Sequence, residues 1–238
     1  MKPLVSVVVP FYNEEENVPL LAEKIAAVFQ SLPDYDYECL FVNDGSTDGT
    51  RQALEKLQQT DTHTRPIHLV KNSGQSAAVI AGMRRAHGAY VLMLDGDLQN
   101  DPCDFPRFLE LLQEYDCVCG YRAERHDTWV RKLSSRIANV VRNALLHDGI
   151  RDSGCGSKGF RRQCIEHLVA FNGMHRFLAV LIRAAGFTIV ECPVSHHPRQ
   201  HGVSKYGIGN RLWRGIYDLF GVAWLRKRFV APRVEGEE

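Results

Sequence analysis

The feature that most constrains this chain is a recurrence of short, unalternating apolar runs. They fall at Val5–Val9, Cys39–Val42, Ile67–Val70, Tyr90–Leu94 and Cys117–Gly120, and a segment with helical periodicity separates each from the next. Strands that read as continuous Val/Ile/Leu are buried on both faces. Alternation with helices then implies a mostly parallel central sheet flanked by helices, an α/β fold. In the first helix Val18, Leu21, Ala22, Ile25, Val28 and Phe29 fall on one stripe, the face that packs on the sheet. Ligands of such sheets sit beyond the carboxyl ends of the strands, so the polar residues ending each run are the ones to read.

The fourth run ends in Asp95-Gly96-Asp97-Leu98-Gln99. Two carboxylates one residue apart at a strand's edge repel each other unless a cation lies between them. A hard divalent ion, Mg²⁺ or Mn²⁺, suits oxygen donors, and Mg²⁺ is usually held by one or two carboxylates plus substrate phosphates. Asp95 and Asp97 are therefore the candidate metal ligands, although the same pair also suits a solvated turn. Asn43-Asp44-Gly45-Ser46-Thr47-Asp48-Gly49-Thr50 closes the second strand with turn formers and a helix cap. At the mouth of the sheet, Asp44 can accept from a ribose hydroxyl or a base N–H, and Pro10, Tyr12, Asn13 and Glu14 can line another wall of the same pocket.

Gly154-Cys155-Gly156-Ser157-Lys158-Gly159 spells the dinucleotide string G-x-G-x-x-G. It lacks the preceding buried strand that such a fingerprint requires and reads as a flexible loop that lets backbone approach a ligand. The loop from Arg199 to Gly207 offers Arg199, Ser204 and Lys205, a set suited to phosphate and equally to a solvated surface. His196 and His197 lack a spaced third metal ligand.

Net charge is +1, but residues 1–120 carry 9 Lys/Arg against 18 Asp/Glu, and residues 121–238 carry 20 against 10. An acidic half able to hold metal precedes a basic half able to hold phosphates or an anionic surface. The 238 residues, 24% charged and 45% hydrophobic, suit one large domain over residues 1–208 with an amphipathic C-terminal helix and tail over 209–238. No apolar run approaches the ~18 residues of a spanning helix, and the N-terminal run reads as a buried strand, not a signal peptide. Seven cysteines without a C-x-x-C pair read as reduced thiols of a cytosolic protein. Trp129–Leu146 reads as a basic amphipathic helix, Asp148–Gly159 as a polar loop, Phe177–Ala185 as a buried helix and Phe187–Cys192 as a strand.

Pro10-Phe11-Tyr12-Asn13-Glu14, Asn43 to Thr50, Asp95 to Gln99, Gly120-Tyr121-Arg122, Ser134 to Asn139 and Arg199 to Gly207 together resemble the inverting family 2 glycosyltransferases of GT-A fold. The likeness is strongest to the dolichol-phosphate mannosyltransferase-like branch, which glycosylates polyprenyl phosphates. It implies that Asp44 contacts the nucleotide and that Asp95 and Asp97 hold metal and diphosphate. It makes Gln99, Arg122, Arg131, Ser135 and Arg136 candidates for the acceptor phosphate, and Arg199, Ser204 and Lys205 the clamp on the donor diphosphate. Asp97, Gln99, Arg122, Arg136 and Arg199 would carry catalysis. Mannosyl members have a glutamate where this chain reads Gly173-Met174-His175-Arg176-Phe177, so the resemblance does not carry mannose over. The implied partners are a UDP- or GDP-sugar, a polyprenyl phosphate and the cytoplasmic face of a membrane. No nucleic acid is expected, and a homo-oligomer is compatible. Open alternatives are a saccharide or protein acceptor, a nucleotidyltransferase, and a non-catalytic nucleotide-sugar binding module.

Overall fold

The computed structural model describes residues 2–123, 140–198 and 208–230, and the side chains of all of these except 208–214. Seven strands form one sheet in the order β3-β2-β1-β4-β6-β5-β7. They are β1 (Leu4–Phe11), β2 (Asp36–Asn43), β3 (Thr64–His68), β4 (Tyr90–Met93), β5 (Cys117–Arg122), β6 (Lys158–Arg161) and β7 (Ile189–Val194). β1 pairs in parallel with β2 and β4, β2 with β3, and β5 with β7. Only β6 runs the other way, wedged antiparallel between β4 and β5.

The helices are α1 (Asn17–Gln30), α2 (Thr50–Thr60), α3 (Gln75–Met83), α4 (Phe105–Leu111), α5 (residues 140–146), α6 (Gln163–Glu166), α7 (Leu178–Ala184) and α8 (Ile208–Arg228). They cover both faces, which is why β1, β2, β4 and β5 are built on apolar runs. Val5, Val7 and Val9 pack with Leu21, Ile25 and Phe29 of α1 and Phe105 and Phe108 of α4. Val8, Leu40, Val91 and Met93 point the opposite way, onto Val79 and Met83 of α3 and Leu178 and Ile182 of α7. The period of two along β1 thus divides one strand between two cores.

Three expectations need correction. The third strand begins three residues earlier than its apolar run and ends at His68, with Val70 fully exposed. Pro66 is tolerated because β3 is an edge strand, where a missing N–H need not break a ladder. The seventh strand runs two residues later than expected, to Val194. β6 (Lys158–Arg161) begins within the expected 148–159 loop. Lys158 is buried in it, its ammonium donating to the Cys155 carbonyl, and Gly159 leaves room for Leu92, Leu112 and Phe108.

α8 matches the expected C-terminal helix and has two faces. Leu219 and Val222 are buried against Leu146, Phe177 and Val180, each such burial worth about 1.5–3 kcal/mol. Tyr217, Phe220 and Trp224 are exposed. Among the described residues no helix is long and apolar enough to cross a membrane.

Candidate active site

Because every strand but β6 points the same way, the ends of β1, β2, β4 and β5 and the start of β6 meet at one edge. Two loops interlock there first. Asn13, in the left-handed region at φ 54°, donates its N–H to Ser46 Oγ at 2.9 Å and accepts from the Thr47 N–H at 2.8 Å. The Glu14 N–H donates to Thr50 Oγ1 at 2.9 Å, and its carboxylate accepts from Asn17 Nδ2. Pro10 and Tyr12 are half-buried beside them. Residues 13 and 14 of the expected wall are thus engaged in buttressing the second strand's loop.

Asp44 is 3% exposed. It accepts from the backbone N–H groups of Ser73 at 2.7 Å and Gly74 at 2.9 Å. Burial raises its carboxyl above the usual range, and those two amides act against the rise. Gly45, at φ 63°, lies so close to the Lys71–Asn72 backbone that a Cβ would stand 2.4 Å from Asn72 N. Only glycine combines that φ with that approach.

Asp95 Oδ1 accepts from Gln75 Nε2 at 2.7 Å, a contact between residues 20 apart that no sequence signal announced. Its Oδ2 lies over Gly156, where a Cβ would be only 2.2 Å away. The dinucleotide-like string therefore serves the acidic turn, its last glycine lying within β6. Asp97 Oδ1 accepts from the Gln99 N–H at 3.2 Å, and Leu98 between them is buried at φ 59°. A non-glycine residue in that region costs of order 1–3 kcal/mol, a strain that clusters at functional turns. The stretch after β7 is stitched to the same turn, since the His197 N–H donates to Gln99 O at 2.8 Å and His197 Nε2 lies 3.0 Å from Asp101. The basic loop from Arg199 thus begins two residues beyond a contact with the acidic turn.

The donor set fits a divalent ion completed by ligand oxygens. Asp95 and Asp97 are hard oxygen donors at one strand end, and among the described residues no group of three His, Cys, Asp or Glu side chains could hold a metal by itself.

Arg122 ends β5 and grips Asp152 in a fork, Nε to Oδ2 at 2.7 Å and Nη2 to Oδ1 at 3.0 Å. Buried Arg142 donates to Asp148 at 2.8 Å and also to the Ile150 carbonyl, so the 148–157 loop is cross-braced by guanidiniums. Arg131, Ser135, Arg136, Arg199, Ser204 and Lys205 lie outside the described residues.

Residues 6–169 match the family described as glycosyl transferase family 2. The chain belongs to that family. It is 37% identical over 233 residues to the dodecaprenyl-phosphate galacturonate synthase of Rhizobium johnstonii, covering 95% of this chain and 68% of the relative. It is 35% identical over 217 residues to the undecaprenyl-phosphate 4-deoxy-4-formamido-L-arabinose transferase of Photorhabdus laumondii, covering 90% and 66%. The chain therefore spans about two thirds of the length of these relatives. Its fold resembles a mannosyltransferase of Pyrobaculum calidifontis solved with GDP-Man and Mn²⁺, with TM-score 0.64, 18% identity, and coverage of 98% of this chain and 66% of that one. The mostly parallel sheet with flanking helices is thus a GT-A glycosyltransferase fold.

Proposed function

We propose that the chain transfers a sugar, with inversion, from a nucleotide-sugar donor to a polyprenyl phosphate. The observation that carries this reading is the meeting of Asp44, Asp95 and Asp97 at one sheet edge with the Arg122 wall beside them. The names of relatives at 35–37% identity support a polyprenyl-phosphate acceptor. A divalent ion at Asp95 and Asp97 would neutralise the departing nucleoside diphosphate. Asp44 fixes the 73–74 backbone beside the nucleotide and retains lone pairs for it. Gln99 and Arg122, with Arg131, Ser135 and Arg136, orient the acceptor phosphate, while Arg199, Ser204 and Lys205 close on the donor. A phosphate monoester with second pKa ~6 is already a dianionic nucleophile at pH 7, so no general base is needed.

Domain limits of 1–208 and 209–238 follow from the same reading, with α8 as an interfacial element at the cytoplasmic face of a membrane. Ile216, Tyr217, Phe220 and Trp224 are exposed on α8, and Val141 and Leu145 are exposed on α5. Arg226, Lys227 and Arg228 close the helix, each basic residue adding about 1 kcal/mol of attraction to anionic lipid. Salt-sensitive binding to phosphatidylglycerol liposomes, lost in Phe220→Ser/Trp224→Ser, is the expected result; equal flotation of that variant contradicts it.

A thermal-shift screen of UDP-, GDP- and dTDP-sugars with Mn²⁺ tests the donor side. A bound sugar nucleotide at ~100 times its Kd stabilises by ~2.7 kcal/mol. No shift with any of them removes the reading, and release of pyrophosphate would identify a nucleotidyltransferase instead.

A further inference from the structure

Residues 73–76, the entry to α3, make successive contacts in different directions. The N–H groups of Ser73 and Gly74 hold Asp44, and Gln75 holds Asp95. The Ser76 hydroxyl, 4% exposed, turns the other way: it accepts from the Gly173 N–H at 2.9 Å and lies 2.7 Å from His175 Nδ1. With two lone pairs and one proton, the hydroxyl bridges the Gly173 N–H and His175 Nδ1. One small side chain therefore pins the 173–176 turn to the helix whose first residue orients Asp95.

α8 grips that turn from its far side. Gly173 is left-handed at φ 97°, and a Cβ there would stand 2.6 Å from Asp218 Oδ2. The same carboxylate oxygen accepts from Arg176 Nη2 at 2.6 Å. Arg176 Nη1 lies 3.7 Å from the position a Cβ on Gly215 would take, and its Nε is buried without a hydrogen-bond partner. An unbroken series of contacts thus runs from α8 through Asp218, the 173–176 turn, Ser76 and Gln75 to Asp95.

We infer that Asp218 and Ser76 are positioning residues for the acidic turn: the seating of α8 sets the geometry with which Asp95 meets the metal and the donor diphosphate. The inference rests on the reading of Asp95 as part of the donor site. Its physical basis is a contiguous set of packed and hydrogen-bonded groups, of the kind along which single substitutions change coupling severalfold without touching ligand.

The test is calorimetric titration of the full chain with UDP and with GDP in the presence of Mn²⁺, for wild type, Asp218→Asn, Asp218→Glu, Ser76→Ala and Asp97→Asn. For whichever nucleotide the wild type binds, Asp218→Asn and Ser76→Ala are expected to weaken binding about 3- to 10-fold, and Asp218→Glu to restore most of it. A purely structural role would lower the melting temperature and leave affinity, measured well below melting, unchanged; full affinity in both variants overturns the inference. Ser76→Ala removes a single hydroxyl and carries the test alone if Asp218→Asn does not fold. Wild type that binds neither nucleotide, or binds equally well as Asp97→Asn, overturns the donor-site reading itself.

Discussion

Asp95 and Arg122 leave strands separated only by β6, yet their side chains are held by different physics. Gln75, which orients Asp95, is a neutral amide; it fixes the carboxylate without neutralising it. Asp152, which orients Arg122, is an opposite charge in a two-point fork, so a phosphate bound there as proposed would have to share or displace it. Of these two contacts, the one on Asp95 carries no charge, whereas the one on Arg122 is an anion that would compete with the proposed acceptor phosphate. On the proposed reading such a competitor would add specificity, because the acceptor dianion would have to replace a buried, bidentate carboxylate.

Two glycines of the same loop break or sharpen this contrast most strongly. Gly156→Ala would put a Cβ 2.2 Å from Asp95 Oδ2, while a Cβ at Gly154 meets Arg122 and Asp152 only at 3.6 Å. Misplacement of a catalytic group by about 1 Å costs ~100-fold, so Gly156→Ala is expected to lose about that much activity and Gly154→Ala little. Similar rates for the two variants would show that close backing of Asp95 is unimportant.

The next effect concerns the fork. Loss of a charge-assisted contact costs about 1.5–3 kcal/mol, so Arg122→Ala is expected to reduce use of the acceptor phosphate ~10- to 150-fold with donor binding little changed. Asp152→Asn removes the opposing charge from the guanidinium, and its acceptor KM should fall if the carboxylate competes. Steady-state kinetics on a short polyprenyl phosphate separates the two, and a change confined to donor KM would reassign Arg122.

The smallest effect tests whether acidic residues away from the site are purely structural. Burial alone would raise the Glu38 carboxyl, but hydrogen bonds from Ser6, the His87 N–H and Arg65 bring it below the usual range. A depressed folded-state pKa contributes stability above the unfolded value near 4.5, lost as pH falls through the folded value. Glu38→Gln should flatten the acid limb of melting temperature against pH and leave nucleotide affinity unchanged.

Much of this contrast was open to a reader of the sequence, and the reason is burial. β1, β2, β4 and β5 announce themselves because both faces are covered, and the acidic turn stands where a parallel strand must end. β6 was invisible because Lys158-Gly159-Phe160-Arg161 has no apolar run. Pro66 and the exposed Val70 shifted β3 from its hydrophobic centre. The partners that tune the site, Gln75 for Asp95 and Asp152 for Arg122, escaped because their contacts bridge 20 and 30 residues. The glycine string was legible as a loop but not as the backing of a carboxylate, since that role arises only when β6 enters the sheet antiparallel.

The most direct test of a metal-dependent transfer to a lipid phosphate is product analysis with purified chain, Mn²⁺, the sugar nucleotide identified by thermal shift and a short polyprenyl phosphate. The account predicts nucleoside diphosphate released in equal amount to glycosylated polyprenyl phosphate, abolished by EDTA and by Asp97→Asn. Undiminished turnover in EDTA or in Asp97→Asn, or diphosphate release that ignores the polyprenyl phosphate, would contradict it.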